Sequence, residues 1–426
     1  MLRIGKKMVE FRFIHCSDLH IDSPFKGLTS QAPSLASALR ESTFKAFQKI
    51  SRLALQEKVD AVLIAGDVFD GADRSLQAQL KFRRILKELS DKNIQSFIVH
   101  GNHDPLNSWA HTLEWPEQVT IFPGDKVHRV PVKKEGENIA WVYGISYPQK
   151  KVTENLALKF KNEKEKGFSI GLLHTNVGQQ PGHDNYAPCS ITDLVSRNFD
   201  YWALGHIHEY KVLRESDPAI VYSGNTQARH LKEAGQKGCC LVTLSTDHPP
   251  DIRFISTDIV SYRSATVDLQ AAENINDVLR SIQFQCEELV KDSIPREGLV
   301  ARLTLEGRTP IHKELQASGV INALTEEIHL FFEGHSPWVS VELSTNTAGT
   351  YDIQSLKKGK DFIADLVNLC DDTEKDALND KIRDSIKPVF ESWAGRKYLE
   401  EFSTEDMDEL IHKSRNLTLD QLVDNS

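Results

Sequence analysis

Short apolar runs and amphipathic stretches alternate along the first 260 residues of the chain. Bounded runs of strand length predict β-strands at Phe11–Cys16, Ala61–Ala65 and Ser96–His100. Between them, Leu35–Glu57 and Ser75–Lys92 place Leu, Ile, Phe and Ala at helical spacing. This order of strands and helices is typical of an α/β layered fold. Further strands are predicted at Ala140–Gly144, Ser169–Leu173, Tyr201–Leu204, Ala219–Tyr222 and Gly238–Leu244.

The pattern changes near residue 262, where a second domain is predicted to begin. Alternation predicts strands at Ser264–Leu269, Gly298–Leu305 and Trp338–Leu343, and helical spacing predicts helices at Ala272–Lys291 and Lys313–Leu330. From Ile353 onward the pattern is helical and strongly charged. We therefore predict a first domain at 1–260, a small α/β domain at 261–350 and a helical segment at 351–426.

Charge is unevenly distributed between these parts. Residues 1–260 contain 33 Lys and Arg against 30 Asp and Glu, whereas residues 261–426 contain 18 against 31. Proteins that bind nucleic acid through its phosphates usually carry a basic surface. Only the first part, which has a small positive excess, is a candidate for that role. The acidic second part is expected to face solvent or a basic partner rather than DNA.

The composition excludes several classes of protein. No run approaches the ~20 consecutive apolar residues that a membrane helix needs, and the mean hydropathy is −0.39. The first residues include basic side chains but neither an apolar core region nor a cleavage site, so no signal peptide is predicted. The six cysteines show no CxxC spacing, which favours reduced buried thiols in a cytoplasmic protein. No membrane partner is expected.

Five short polar segments, all before residue 210, each follow a predicted strand directly. They are Ser17-Asp18-Leu19-His20, Gly66-Asp67-Val68-Phe69-Asp70, Gly101-Asn102-His103-Asp104, Leu173-His174-Thr175 and Gly205-His206-Ile207-His208. In open α/β sheets, loops at the carboxyl ends of strands assemble the functional site. The five segments are therefore expected to meet in one crevice, although they are far apart in sequence.

The side chains in these segments fit a binuclear metal centre. Histidine nitrogen and carboxylate oxygen suit divalent ions such as Mn²⁺, Fe²⁺ or Zn²⁺, and the absence of cysteine disfavours a structural zinc site. Two ions ~3.5–4 Å apart can hold the attacking and the leaving oxygen of a phosphoryl displacement, and Asp67 is the natural bridging residue. A lone histidine at a strand end is more often a satisfied core or surface residue, but all five segments in this order are very specific.

The chain resembles the calcineurin-like metallophosphoesterase superfamily, and within it the SbcD-like DNA repair exonuclease branch with its shorter YhaO-type members. Five stretches carry this resemblance: FIHCSDLHIDSPF, LIAGDVFD, FIVHGNHDP, ALGHIHEY and YSGNTQARHLKEAGQKGCCLV. It covers residues 11–245 and beyond them rests on VARLTLEGRTP, which is similar to a small capping domain. The resemblance implies a four-layer α+β fold, in which a β-sandwich is flanked by helices and followed by an α/β capping domain and a helical tail.

The resemblance also implies roles for the positions that match the family motifs. The implied metal ligands are Asp18, His20 and His208 for one ion, Asn102, His174 and His206 for the other, and Asp67 between both. His103 would contact the scissile phosphate and help the leaving oxygen depart, while a hydroxide bridging the two ions attacks the phosphorus. Mn²⁺ is the expected ion, with Fe²⁺, Zn²⁺ or Mg²⁺ as alternatives.

Four more polar residues are candidates for supporting roles. Asp104 follows His103 directly and is expected to orient its imidazole. Asp70 either supports the site or caps the helix that follows its loop. Arg229 and His230 are candidate contacts to the substrate phosphate, in the loop after the strand Ala219–Tyr222.

The resemblance implies a DNA exonuclease or endonuclease of the double-strand-break repair type. Alternatives are a phosphodiesterase or phosphatase acting on nucleotides or other small phosphoesters, and a scaffold that retains the fold without catalysis. The implied partners are a coiled-coil ATPase of the SMC-like, SbcC-like kind and a second copy of the chain. The helical segment from Ile353 is the expected docking element for the ATPase, and packing of this segment on the chain's own second domain is the alternative.

Overall fold

The computed structural model describes residues 9–23, 33–71, 75–108, 113–178, 185–291, 296–371, 375–391 and 403–422. The chain divides into two compact units. The first contains Met1–Arg263, Ser293–Val300 and Ser336–Trp338, and the second contains Ser264–Asp292, Ala301–His335 and Val339–Ser426. Residues 351–426 are therefore grouped with the second unit. Parts of the predicted helical segment, at 372–374, 392–402 and 423–426, lie outside the described residues.

The first unit contains two six-stranded sheets. Its strands are β1 (Glu10–Cys16), β2 (Ala61–Ala65), β3 (Gln95–Val99), β4 (Val119–Ile121), β5 (His128–Lys134), β6 (Glu137–Gly144), β7 (Phe168–His174), β8 (Tyr201–Gly205), β9 (Lys211–Arg214), β10 (Ala219–Tyr222), β11 (Gly238–Ser245) and β12 (Asp251–Ser256). The first sheet has the order β12-β11-β1-β2-β3-β4, and the second has the order β5-β6-β7-β8-β10-β9. Both sheets are mixed. In the first sheet the antiparallel pairs lie at the β12 edge and the remaining pairs are parallel, whereas in the second sheet an antiparallel pair lies at each edge of a parallel centre.

Three apolar layers hold these sheets and their helices together. Helices α1 (Pro33–Gln56) and α2 (Leu76–Ser90) cover one face of the first sheet, where Phe47 and Phe82 pack with Ile64. The opposite face of that sheet packs on the second sheet through residues such as Leu63 and Ile170. The outer face of the second sheet, including Trp202, is covered by short helices such as α3 (Ile191–Val195). This arrangement confirms the predicted β-sandwich flanked by helices.

The central strand β2 and helix α2 show how local sequence specifies these layers. All five residues of β2, AVLIA, are buried, as expected for a parallel strand covered on both faces. Helix α2 begins after Ser75, whose side chain accepts a hydrogen bond from the backbone N–H of Ala78. This cap satisfies one of the N–H groups that a helix start leaves without an internal partner.

The second unit is built from a small sheet and several helices. Strands β13 (Val260–Asp268), β14 (Gly298–Arg308) and β15 (Trp338–Ala348) form a sheet in that order. The helices are α4 (Ile275–Lys291), α5 (His312–Leu315), α6 (Val320–Phe331), α7 (Ile353–Lys357), α8 (Phe362–Asp371), α9 (Lys375–Glu391) and α10 (Thr404–Leu422). None of the described helices has the length and the apolar character that crossing a membrane requires.

The structure differs from the sequence prediction in two ways. The single helix predicted at Lys313–Leu330 is two helices, α5 and α6, because Gly319 between them has φ +87°, which an α-helix interior does not allow. The prediction also omitted β4, β5, β9 and β12, and each of these is an edge strand of its sheet. Edge strands are partly exposed and show no apolar run; β5 contains three basic residues and Pro131.

Candidate metal centre

The five polar segments lie at the carboxyl ends of five strands from both sheets. Asp18 and His20 follow β1, Asp67 follows β2, and Asn102 follows β3, all in the first sheet. His174 is the last residue of β7. His206 and His208 follow β8, which neighbours β7 in the second sheet. The structure brings these side chains together at one end of the sandwich, as the strand-end argument predicts.

Asp18, His20 and His208 form one group of potential ligands. One ligand atom from each lies within 4.8 Å of the others. The Nε2 atoms of His20 and His208 are 3.2 Å apart, and Nε2 of His208 is 3.7 Å from a carboxylate oxygen of Asp18. Asp18 and His20 are fully buried. This is a compact set of nitrogen and oxygen donors of the kind that binds first-row divalent ions.

A second group lies beside the first and includes Asp18, Asp67 and His174. Nε2 of His174 is 3.0 Å from Oδ1 of Asn102 and 3.5 Å from a carboxylate oxygen of Asp67. The ring of His206 lies 5.2 Å from that of His174 between centroids. All seven predicted ligand positions thus lie in one place, and the carboxylate of Asp18 belongs to both groups.

The electrostatics of the buried ligands agree with a cation site. Burial lowers the pKa of His20 and of His174, so both rings are neutral at pH 7 and have a lone pair to offer. Burial raises the pKa of Asp67 to about 6, although the nearby His103 and His206 act in the opposite direction. Nδ1 of His20 is buried and has no hydrogen-bond partner among the described residues. Divalent ions would add positive charge beside these neutral rings and buried carboxylates, so the residues present fit the metals that the motifs imply.

Hydrogen bonds select which nitrogen two of these histidines present to the centre. Nδ1 of His174 lies 2.9 Å from the carbonyl oxygen of Ala65 and donates to it. Nδ1 of His208 lies 2.6 Å from Oε1 of Glu233 and donates to that carboxylate. In both rings Nε2 is left with its lone pair and points to the other ligands. Such contacts fix the tautomer and the ring orientation of metal-binding histidines.

The backbone at the centre adopts conformations that most residues avoid. Asp18, His20, Asp67 and His206 all have positive φ, between 43° and 103°. Strained residues of this kind cluster at functional sites, where the surrounding structure holds them in place. Gly205 precedes His206, and a Cβ there would lie 1.9 Å from the carbonyl oxygen of Ala65. The glycine is therefore needed for the loop carrying His206 to approach β2.

His103 lies beside the first group, with its ring 5.0 Å from the ring of His20 between centroids. Its Nδ1 lies 2.9 Å from Oδ1 of Asp70, and about a third of its side chain is exposed. Burial alone would lower the pKa of His103, but the hydrogen bond to Asp70 and the negative charges of Asp67 and Asp70 together outweigh burial and raise it. His103 therefore carries a proton more readily than an isolated histidine, at a place that substrate can reach.

The expected role of Asp104 is corrected by the structure. The carboxylate bonded to the His103 ring is that of Asp70, whereas Asp104 is fully buried and accepts hydrogen bonds from the backbone N–H groups of Val68 and Gly101, each at 2.9 Å. Asp104 thereby ties the loop after β2 to the loop after β3. Its side chain turns inward because these two buried N–H groups need an acceptor.

The structure also places the two predicted phosphate contacts. The Arg229 guanidinium donates to Asp70 at 2.9 Å and lies 3.4 Å from Glu233, with only 13% of its side chain exposed. His230 is about half exposed, 3.5 Å from Glu233. Glu233 was not among the residues predicted from the sequence. Only indirect evidence in the sequence pointed to it. A metal-binding histidine needs a carboxylate or carbonyl partner, and Glu233 is the acidic residue of the stretch YSGNTQARHLKEAGQKGCCLV.

Comparisons with known proteins agree with this geometry. A family model described as calcineurin-like phosphoesterase matches residues 11–210, and one described as the middle domain of metallophosphoesterase YhaO matches residues 262–346. The uncharacterized metallophosphoesterase YhaO of Bacillus subtilis is 38% identical over 303 residues, which are 71% of this chain and 73% of that protein. The DNA double-strand break repair protein Mre11 of Sulfolobus acidocaldarius is 24% identical over 402 residues, which are 90% of this chain and 99% of that protein.

Proposed function

Because the chain belongs to the calcineurin-like metallophosphoesterase family and is a metal-dependent phosphoester hydrolase, we propose that it is a nuclease acting on phosphodiester bonds of DNA. The observation that carries this proposal is the assembly of carboxylate, imidazole and amide donors from five strand ends at one place. The similarity to DNA double-strand break repair proteins supports DNA as the substrate. The positive excess of the first 260 residues supports it as well.

The proposed metal ligands are those that the family motifs imply, and the closeness of these donors in the structure supports them. They are Asp18, His20 and His208 for one ion, Asn102, His174 and His206 for the other, and Asp67 for both. Mn²⁺ is the proposed ion, because imidazole and carboxylate donors with no thiolate suit it. When bound, two such ions supply an activated water as nucleophile and neutralise charge on the phosphoryl oxygens.

His103 is proposed to act on the leaving oxygen. Its Nδ1 is bonded to Asp70, so Nε2 of the protonated ring is free to donate a hydrogen bond, and then a proton, to the oxygen that departs. The raised pKa of His103 keeps that proton available near neutral pH. Asp70 holds the ring in place and stabilises its positive charge. Proton donation by a positioned side chain typically accelerates such a step by about 10²–10⁴-fold.

The test is cleavage of end-labelled single- and double-stranded DNA with Mn²⁺, with Mg²⁺ or with chelator. The variant Asp67→Asn keeps the size of the side chain but removes the negative charge beside His174. We expect Mn²⁺-dependent cleavage that falls about 10²–10³-fold in this variant, as when a central electrostatic contact is removed. Asp251→Asn, exposed on β12, is the matched control and should retain activity.

The alternative functions predict different results with these and smaller substrates. Hydrolysis of bis-p-nitrophenyl phosphate or cyclic nucleotides without cleavage of DNA would replace the nuclease with a phosphodiesterase of small esters. Absence of hydrolysis with every substrate, despite bound metal, would favour a scaffold.

We also propose a coiled-coil ATPase of the SMC-like kind as partner. The described residues of α8 and α9 leave Leu369 and Val389 about half exposed, and such apolar side chains can dock into a partner's groove. Copurification with the ATPase should be lost in a Leu369→Asp, Val389→Asp double variant that keeps its nuclease activity. An unchanged complex with the ATPase in the double variant would refute docking through these helices.

The second proposed partner is another copy of the chain. Light scattering of the purified chain tests this homodimer.

A further inference from the structure

Glu233 is a buried carboxylate with a partner on each oxygen. Oε1 accepts from Nδ1 of His208 at 2.6 Å, and Oε2 accepts from the Asn225 side chain at 3.0 Å and from the backbone N–H of Arg229 at 2.8 Å. A buried charge is costly unless it is paired and hydrogen-bonded. Glu233 is therefore an acceptor that its hydrogen bonds fix behind the His208 ring.

Arg229 connects this carboxylate to the other side of the centre. Its NH2 group lies 3.4 Å from Oε1 of Glu233, and its NH1 group donates to Oδ2 of Asp70 at 2.9 Å. Oδ1 of Asp70 in turn contacts Nδ1 of His103 at 2.9 Å. One guanidinium thus lies between two carboxylates, and each of these carboxylates holds one histidine of the site.

We propose that Arg229 and Glu233 form a buried clamp that positions His208 for metal binding and, through Asp70, positions His103 for proton transfer. Both are positioning residues, since neither is proposed to touch metal or substrate. The Arg229–Glu233 clamp rests on the proposed metal ligands and on the proposed role of His103. It assigns Arg229 a different role from the phosphate contact expected from sequence.

The planar guanidinium is suited to this task. Two of its nitrogens face two carboxylates in fixed directions, which a lysine ammonium on a flexible stem cannot reproduce. With 13% of its side chain exposed, Arg229 presents little surface to a phosphate. The local sequence makes the spacing possible, because a short 3-10 helix at Leu231–Glu233 returns the chain so that residues 229 and 233 face each other.

The test separates positioning from substrate binding by measuring metal affinity in the absence of substrate. Mn²⁺ is titrated calorimetrically into the full-length chain after chelation, for the unaltered protein and for Arg229→Lys, Arg229→Gln and Glu233→Gln. We expect each variant to bind one of two Mn²⁺ equivalents about 10- to 100-fold more weakly, as when support for a ligating histidine is lost. Arg253→Gln and Glu137→Gln, on exposed positions of the first unit, are matched controls that should bind as the unaltered chain does.

Kinetics at saturating Mn²⁺ test whether the clamp positions His103 through Asp70. Arg229→Lys should lower kcat on bis-p-nitrophenyl phosphate about 10-fold or more while KM changes by less than about twofold, because the interaction lost affects the transition state rather than substrate binding. Thermal unfolding of the metal-free variants is measured in parallel. Arg229→Lys keeps the positive charge, so it carries the test if Arg229→Gln does not fold.

Three results would overturn the clamp. Unchanged Mn²⁺ isotherms with a raised KM would make Arg229 a substrate contact. Unchanged isotherms with a lowered unfolding temperature would make both residues structural. Failure of the unaltered chain to bind two Mn²⁺ would remove the proposed metal centre itself, and the clamp with it. This last result is separate from the first two because it appears before any variant is made.

Discussion

Two regions of the first unit build the candidate centre in different ways. The strand-end loops carry the candidate ligands and His103, and their residue types reveal their chemistry directly. The loop between β10 and β11 carries no candidate ligand, yet it surrounds His208: Glu233 bonds its ring, and Lys237 donates to its backbone carbonyl at 2.7 Å. The comparison teaches that the groups expected to react and the groups that hold them can come from separate segments of one chain.

The largest expected effect is from His103→Ala, which removes a reacting group and leaves the supporting loop intact. Activity on DNA and on bis-p-nitrophenyl phosphate should fall about 10²–10⁴-fold, because proton donation to the leaving oxygen is lost. Calorimetry should still find two Mn²⁺ bound with nearly unchanged affinity, since His103 is not a proposed ligand. Loss of one metal would instead make His103 a metal ligand and contradict its proposed role as proton donor.

A smaller effect is expected from Asp70→Asn, which removes a support and keeps the reacting group. The carboxylate raises the pKa of His103, so the variant should have a lower His103 pKa. If the protonated ring is the donor, activity falls as pH rises through that pKa. The decline of kcat at high pH should therefore begin at a lower pH in Asp70→Asn, with kcat about 10- to 100-fold lower near neutrality.

The pH profile makes this prediction specific. The control Asp251→Asn should keep the profile of the unaltered chain, because Asp251 is exposed on β12. An Asp70→Asn profile displaced to higher pH, or unchanged in shape, would contradict the role given to Asp70.

The smallest effect on chemistry is expected from Asp104→Asn, which alters a support between two ligand loops. An Asn side chain would direct an NH₂ group at one of the backbone N–H donors of Val68 and Gly101 and leave that donor unsatisfied. The free energy of unfolding should fall by about 1–3 kcal/mol, as measured by denaturant unfolding of the metal-free chain. At saturating Mn²⁺, kcat should change little; a large loss of kcat would place Asp104 among the reacting groups.

The order of elements was predictable because it depends on local patterns. The strands β1, β2 and β3 are apolar runs, and each precedes a polar loop, so the sequence indicated both the sheet and the position of the site. The edge strands β5 and β12 were not predicted, because a partly exposed strand has no continuous apolar run. The interruption between α5 and α6 depends on a single positive φ at Gly319, which periodicity does not reveal.

The candidate ligands could be predicted from the sequence, whereas the contacts of the residues that hold them could not. Asp18, His20 and Asp67 were predicted because their types and their positions after strands indicate metal ligands. Asp104 was predicted to contact the His103 ring because it follows His103 in the sequence, but Asp70 makes that contact. Adjacency in sequence does not determine side-chain direction in a loop. Arg229 was expected to contact a phosphate, whereas the structure places its guanidinium between the carboxylates of Asp70 and Glu233.

The sequence by itself determined the α/β architecture, the family and which side chains could bind metal, because periodicity and residue chemistry are local properties. Tertiary structure decided which partner each of those side chains has. The ring of His208 meets Glu233, 25 residues away, and the ring of His103 meets Asp70, 33 residues earlier in the chain. Such pairings arise when sheets pack and bring distant loops together, and buried charges then require partners that only the folded chain can supply.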